Sequence, residues 1–224
     1  MTKATEQLKA TILLASLALA GGLMIGASST VTVAPAPVPQ TGQRTSYTTG
    51  DDGALQMGIE WDAATRFTDN GDGTVLDTLT GLIWLKNADC KEIGDPNTWS
   101  NVVSEIRTSL VDGVCGLSDG SAQGDWRLPN VRELLSLVDY GESDPALPEG
   151  HPFESVIVYF YWTSTTRDYG PDGISAWSVN LLEGNTEVRD KASAQRIWPV
   201  RGEGITAFYR YLPLVMERGV IGLR

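Results

Sequence analysis

Acidic, amide and glycine residues are concentrated in the stretch TDNGDG, residues 68–73. This composition is typical of calcium loops, in which oxygen ligands occupy positions 1, 3 and 5, glycine occupies position 6 and glutamate position 12. Neither register fits: Gly73 at position 6 places Leu79 at position 12, and Gly71 at position 6 places Arg66 at position 1. Asn-Gly and Asp-Gly dipeptides instead favour tight turns between strands. We therefore interpret the stretch as a turn and not as a metal site.

The residues that could support catalysis or bind zinc are few. A hydrolase of the Ser-His-Asp type needs histidine as its general base, and the single histidine is His151, between glycine and proline in EGHP. A histidine in such a turn is more often packed or hydrogen-bonded than catalytic. One histidine and two cysteines are also too few ligands for a zinc site. We therefore predict that the protein is not an enzyme and has no metal and no cofactor.

The charge of the chain restricts its partners. The 224 residues include 28 acidic and 17 basic side chains, which gives a net charge of −11. Surfaces that bind nucleic acid or anionic membranes are basic. We therefore predict no nucleic-acid partner, and contact with a membrane only through the N-terminal segment if that segment is retained.

The two cysteines, Cys90 and Cys115, lie outside any C-x-x-C motif. In an exported chain two such cysteines usually form one disulfide bond, whereas two free thiols would suit a cytosolic protein better. We predict the Cys90–Cys115 disulfide, and two free thiols are the alternative.

The N-terminal residues have the order of a secretory signal, in which two lysines precede the apolar run at residues 10–20. An uncleaved membrane anchor is the alternative, although the apolar span contains three glycines and is shorter than the roughly 20 residues that a spanning helix needs. We expect residues 1–27 to be a signal peptide or an N-terminal anchor. The protein is therefore expected to be exported, to the cell surface or the extracellular space.

Three further segments follow from composition. Residues 28–60 include the stretch VTVAPAPVPQTGQRTS, which is rich in proline and small polar residues and is predicted to be an extended linker. Residues 61–203 contain the periodic patterns of a folded domain. Residues 204–224 form an apolar C-terminal tail that could serve in sorting or assembly.

Two helices are predicted between two groups of strands. The first helix has apolar residues at helical spacing: Trp99, Val102, Val103, Ile106 and Leu110. The second begins at a capping pair, Asn130 with Glu133, and has an apolar face formed by Val131, Leu134, Leu135 and Val138. The runs ATRF, TVLDT and LIWLK precede the helices, and Val156–Thr163, Ser175–Leu181, Thr186–Arg189 and Arg196–Arg201 follow them. This order favours an α+β domain in which two helices pack on small antiparallel sheets.

Three motifs in this order, TDNGDGTVLDTLTGLIWLK, DWRLPNVRELLSLVDY and YWTSTT…AWSVNL…IWPVRG, resemble the Lcl C-terminal domain family of bacterial collagen-like adhesins. The resemblance covers about residues 64–203. It implies a C-type-lectin-like fold, distantly similar to the formylglycine-generating enzymes, in which the later strands carry ligand-binding loops. The matching residues are interpreted as structural: Trp126, Arg127, Leu128, Pro129, Trp162, Trp177, Trp198 and Arg201.

The loops between the later strands are the predicted binding surface, because recognition residues are often found on loops held by a rigid scaffold. The candidate ligand-binding residues are Arg167, Asp168, Tyr169, Asp172, Glu183 and Asn185. We expect an exported, non-catalytic binding or adhesion module for an extracellular glycan or a surface protein. A structural cell-surface or assembly protein is the alternative. An enzyme similar to the formylglycine-generating enzymes is less favoured, because both cysteines precede the WRLPN motif.

Overall fold

The structure is a computed structural model that describes residues 38–94, 97–167 and 173–202. The predicted signal segment and the apolar tail lie outside these ranges. Among the described residues, no helix has the length and hydropathy that crossing a bilayer requires.

The first sheet has four antiparallel strands in the order β1-β2-β3-β7. Its strands are β1 (Phe67–Asp69), β2 (Thr74–Asp77), β3 (Leu82–Leu85) and β7 (Val200–Arg201). The predicted strand ATRF is wrong over its first three residues, which belong to a helical turn, Ala63–Arg66. The side chain of Asp62 accepts a hydrogen bond from Ala64 N and so caps this turn. The short strand β7 pairs with β3, so the last described residues lie beside β3.

The second sheet has three antiparallel strands in the order β4-β5-β6: Phe160–Thr166, Ser175–Asn180 and Thr186–Asp190. The strand predicted from Val156 begins only at Phe160, because Tyr159 N bonds to Ile157 O in a tight turn. The strand predicted over residues 196–201 is reduced to β7, although Arg196 still forms an isolated bridge with Tyr161.

The helices are short: α1 (Asp52–Leu55), α2 (Ala63–Arg66), α3 (Trp99–Ser109) and α4 (Val131–Leu135), with a 3₁₀ turn at Lys91–Ile93. The prediction of α3 is confirmed, and Val102 and Ile106 are buried on one face of it. The capping box of α4 is also present. However, α4 ends before the predicted Val138. The described chain is thus an α+β structure with two small antiparallel sheets.

Trp198 lies at the centre of the core and contacts residues from both sheets. Its ring centroid lies 5.8 Å from that of Trp84 in β3 and 5.8 Å from that of Tyr161 in β4. Phe153 completes the cluster at 4.8 Å, and Trp198 Nε1 donates to Leu85 O at 2.8 Å. All of these side chains are buried. The packing of large rings across the two sheets therefore holds the sheets together.

Arg127 of the WRLPN motif joins α4 to β7. Its guanidinium forms two hydrogen bonds of 2.8 Å with Glu133, and its backbone exchanges hydrogen bonds with Val200. Arg127 Nη2 also donates to Gly202 O at 3.1 Å. The hydrogen bonds with Glu133 raise the pKa of Arg127. The two sequence motifs WRLPN and WPVRG are thus neighbours in space, because Arg127 bonds to Val200 through its backbone and to Gly202 O through its side chain.

The predicted disulfide between Cys90 and Cys115 is present, with a Cα–Cα distance of 5.6 Å. It connects the start of the 3₁₀ turn to a loop 25 residues further along the chain. Both cysteines are nearly buried.

Replacing both cysteines by serine is expected to lower the free energy of unfolding by about 3 kcal/mol, because the unfolded chain gains the freedom of a loop of this length. Urea unfolding of the wild type and of the C90S/C115S variant, each with and without dithiothreitol, measures the effect. Reductant should shift only the wild-type midpoint. Equal midpoints for the two proteins without reductant would contradict the prediction.

Residues 38–60 were expected to form part of an extended linker, but they contain α1 and are hydrogen-bonded to one another. Pro39 and Ile59 form a parallel bridge, and Trp61 Nε1 donates to Gln40 O at 2.8 Å. Tyr140 N donates to Thr41 O at 2.8 Å, which joins the segment to the domain. We call residues 38–47 the strap. The composition of this segment does not reveal its contacts with residues that are distant in sequence.

Candidate functional site

A cleft of about 460 Å³ opens between the strap and the loop at residues 139–142. Two exposed tyrosines line it: Tyr47 is 83% exposed and Tyr140 is 51% exposed. The remaining lining residues are Gly42, Gln43, Arg44, Thr45, Asp139, Gly141 and Glu142. We call this the tyrosine cleft. It combines two accessible tyrosines with an amide, a guanidinium and two carboxylates, of which that of Asp139 is buried.

The strap approaches the opposite wall closely. Gly42 has φ +88° and lies against Asp139, so that a Cβ atom at Gly42 would overlap the Asp139 carboxylate. A Cβ atom at Gly141 would lie 2.6 Å from Gly42 O. Asp139 Oδ1 accepts a hydrogen bond of 2.7 Å from Gly141 N. Both walls of the cleft therefore depend on glycine at their point of contact.

The backbone of Tyr47 is held in place by the side chain of Asp51. Asp51 Oδ2 accepts hydrogen bonds from Tyr47 N at 2.6 Å and from Thr48 N at 3.1 Å. The Tyr47 hydrogen bond is the largest cause of the lowered pKa of Asp51. The backbone that carries the exposed ring is therefore fixed in position even though the ring itself is in solvent.

A second cleft of about 420 Å³ adjoins the first and shares Arg44, Asp139 and Glu142 with it. Its own lining residues are Trp61, Asp62, Ala63, Pro148, Glu149 and Gly150. Across the two clefts four carboxylate side chains, those of Asp62, Asp139, Glu142 and Glu149, accompany one guanidinium. Both clefts therefore favour neutral or positively charged groups over anions.

The turn between β5 and β6 borders the tyrosine cleft. Tyr140 lines the cleft, and its hydroxyl donates to Gly184 O at 3.3 Å. The predicted ligand-binding residues Glu183 and Asn185 flank this glycine and are exposed. These two predicted residues therefore lie next to a wall of the cleft, although they do not line it.

The other predicted binding residues are at the opposite end of the second sheet. Arg167 directly follows β4 and is exposed, and its backbone N–H bonds to Ser175 O at the start of β5. The six residues of β5 then lead to the turn at Glu183, a separation of roughly 20 Å at 3.4 Å per residue. Asp168, Tyr169 and Asp172 lie outside the described residues. Arg167 and Glu183 therefore do not share one site.

The residues predicted to be structural lie mostly in the interior. Trp126, Trp162 and Trp198 are fully buried, and Leu128 and Pro129 are buried as well. The remaining members of the set are partly exposed: Arg127, Trp177 and Arg201. Arg201 Nη1 lies 2.8 Å from Asp119 Oδ2 as an ion pair, and its guanidinium lies 5.2 Å from the Trp126 ring centroid.

His151 is partly buried, and its Nδ1 atom has no hydrogen-bond partner. Its ring lies 5.7 Å from that of Phe153, and burial lowers its pKa. The pentapeptide GLSDG, residues 116–120, matches the G-x-S-x-G pattern of a nucleophile elbow. Such an elbow needs a strand before the serine and a helix after it. Ser118 instead lies in an irregular loop.

The acidic stretch at residues 68–73 forms the predicted turn between β1 and β2. Asp69 Oδ1 accepts a hydrogen bond from Gly71 N at 2.9 Å, and Asp72 Oδ1 accepts one from Thr74 N at 3.0 Å. The carboxylates of this stretch therefore stabilise the turn itself. Within the described ranges, Cys90, Glu92 and Cys115 come close enough to form a possible metal-binding group, but both sulfurs are in the disulfide.

The residues of the tyrosine cleft are largely those that sequence reasoning missed. Residues 38–61 contain two aromatic residues, Tyr47 of the tyrosine cleft and Trp61 of the second cleft. Two large rings in an otherwise polar, proline-containing segment were the available signal. The composition of the whole segment, which is rich in proline and small polar residues, predicts a linker and so obscures this signal.

The family model of the Lcl C-terminal domain matches residues 73–201. No curated protein shows significant similarity to the chain. The match includes the Asp139–Glu142 wall of the tyrosine cleft but not the strap. Since it covers more than half of the sequence, the chain belongs to the Lcl C-terminal domain family.

Proposed function

We propose that the protein is an exported, non-catalytic module that binds a neutral glycan in the tyrosine cleft. The observation that supports this is the pairing of two exposed tyrosine rings with polar groups in one concave surface. An exposed aromatic ring offers an apolar face for stacking and a polar hydroxyl at its edge. Carboxylate, amide and guanidinium groups bond to hydroxyls that surround a sugar ring. Binding sites combine these two kinds of contact.

The charge of the site favours a neutral ligand over a sulfated one. Carboxylates outnumber the single guanidinium in the two adjoining clefts, and the whole chain has a net charge of −11. Like charges repel on approach and reduce both the rate and the affinity of association. Sulfated polysaccharides are therefore disfavoured ligands in this proposal.

Export and fold belong to the same proposal. The N-terminal sequence has the order of a signal segment, and the Cys90–Cys115 disulfide suits an oxidising compartment. Family membership and the arrangement of two small antiparallel sheets support a C-type-lectin-like fold. The lack of strand and helix around Ser118 and the absence of a bond to His151 Nδ1 support a binding role over hydrolysis.

Replacing Tyr47 by alanine is expected to weaken glycan binding about tenfold, which corresponds to about 1.4 kcal/mol. The ring would no longer stack on the ligand, whereas the fold should be unaffected because Tyr47 is 83% exposed. A neutral-glycan array identifies the ligand, and calorimetry compares the variants. The matched control is Tyr159→Ala, which removes a 48% exposed tyrosine that does not line the cleft.

A wild-type protein that binds no neutral glycan would refute the proposed function. If Y159A lost binding and Y47A did not, the ligand would lie elsewhere on the domain. Binding to a surface protein in place of any glycan would support the alternative ligand class.

A further inference from the structure

We propose that the strap supplies one ligand-contacting wall of the site, through Arg44 and Tyr47, and that Gly42 is the residue that positions this wall. The inference rests on the proposed function, since it concerns the same cleft. It identifies contacting residues and a positioning residue outside the part of the chain that the family model matches.

The two walls come from different parts of the chain. Asp139, Tyr140 and Glu142 lie within the matched residues 73–201, whereas the facing residues of the strap precede them by more than 25 positions. The matched domain alone would therefore present one half of the cleft. Its other half depends on how the strap lies against the loop at 139–142.

The strap is joined to the loop by contacts that tolerate little displacement. The hydrogen bond from Tyr140 N to Thr41 O places the backbones side by side. At the next residue, Gly42 lies against the Asp139 carboxylate and leaves no room for a Cβ atom. Asp139 is buried, and its carboxylate bonds to Gly141 N, so it has little room to move aside. A side chain at position 42 should therefore displace the strap from the loop, and Arg44 and Tyr47 would move with it.

A matched pair of substitutions separates this contact from backbone strain. Gly42 has φ +88° and Gly50 has φ +87°, so alanine is equally unfavourable at both positions. A Cβ atom at Gly50, however, would meet no atom within 4 Å. The G42A and G50A variants thus share the strain and differ in the clash with Asp139.

The experiment uses the full chain and three probes: N-acetylchitohexaose, cellohexaose and a heparin hexasaccharide, each titrated by calorimetry. The rate of tryptic cleavage after Arg44 reports the position of the strap, and the urea midpoint reports the stability of the domain. For G42A we expect cleavage at least tenfold faster and binding of the neutral probe at least tenfold weaker, with the midpoint of the main transition unchanged. G50A should behave as wild type.

A second variant covers the case in which G42A does not fold. Asp51→Ala removes the acceptor of the Tyr47 backbone N–H, and it also removes the N-cap of α1. It should weaken binding at least tenfold, while the urea midpoint decreases only slightly because one exposed helix cap is lost. Wild-type affinity in both G42A and D51A, or equal losses in G42A and G50A, would overturn the inference and leave the proposed function standing. A wild type that binds none of the probes would overturn both.

Discussion

Replacing Asp77 by alanine is expected to lower the free energy of unfolding by about 3–5 kcal/mol, because it leaves a buried guanidinium without its counter-ion. Arg66 and Asp77 form a bidentate pair with bonds of 2.9 and 2.8 Å, and both side chains are at most 1% exposed. Asp77 also accepts hydrogen bonds from Thr80 Oγ1 and Leu79 N. Urea unfolding of the purified variant measures the loss.

The size of this effect should come from the charge left behind and not from the attraction between the two groups. The double variant R66M/D77L, with apolar side chains at both positions, should therefore recover most of the stability that D77A loses. Glu154→Ala is the matched surface control, because it breaks a 2.7 Å pair with Lys86 in which the carboxylate is 62% exposed. That substitution should cost less than about 1 kcal/mol. A D77A loss no larger than that of E154A would contradict the argument.

The Arg66–Asp77 pair is also connected to the strap through Trp61. Arg66 Nη2 donates to Ser136 O at 2.6 Å, at the end of α4, and its guanidinium lies 5.2 Å from the Trp61 ring centroid. Trp61 in turn bonds to the strap through Gln40 O. A protein that loses Asp77 is therefore expected to lose order around the second cleft as well as global stability.

Replacing Trp198 by alanine is expected to lower the free energy of unfolding by about 3–5 kcal/mol, because removal of the ring would leave a cavity between the two sheets. The side chain is fully buried, and its ring contacts Trp84, Phe153 and Tyr161. Urea unfolding gives the free energy, and near-ultraviolet circular dichroism reports the loss of fixed aromatic packing.

Two controls separate packing from hydrogen bonding at this position. Trp198→Phe keeps a ring but removes the donor to Leu85 O, and it should cost less than the alanine variant. Trp177→Ala removes a partly exposed tryptophan of β5, for which a smaller loss is expected. If W198A and W177A were equally stable, Trp198 would not be the contact that joins the sheets.

Features that depend on near neighbours in sequence were predictable. The apolar spacing of α3 defines its buried face, and the Asn130 and Glu133 capping pair lies within a single turn. The turn at residues 68–73 follows from Asn-Gly and Asp-Gly dipeptides that accept positive φ, and Gly71 and Gly73 have φ of +76° and +85°. In each case the deciding interactions span only a few residues.

The ends of elements were less predictable, because bonds to distant groups decide them. The periodicity of α4 continues to Val138, yet the helix ends at Leu135. Ser136 Oγ bonds to Glu133 O, and Ser136 O accepts a hydrogen bond from Arg66, which is 70 residues away. The strand predicted from Ala64 begins later for a different, local reason, since Asp62 caps a helical turn there.

The sequence by itself determined the class of fold, the disulfide partners and the family, because apolar spacing, turn dipeptides, cysteine count and ordered motifs are all recorded along the chain. Only the tertiary structure decided which residues share a cleft. Nothing in the local pattern of Tyr47 or Tyr140 indicates that they line the same cleft. That arrangement depends on a backbone hydrogen bond between Thr41 and Tyr140, and on the absence of a side chain at Gly42.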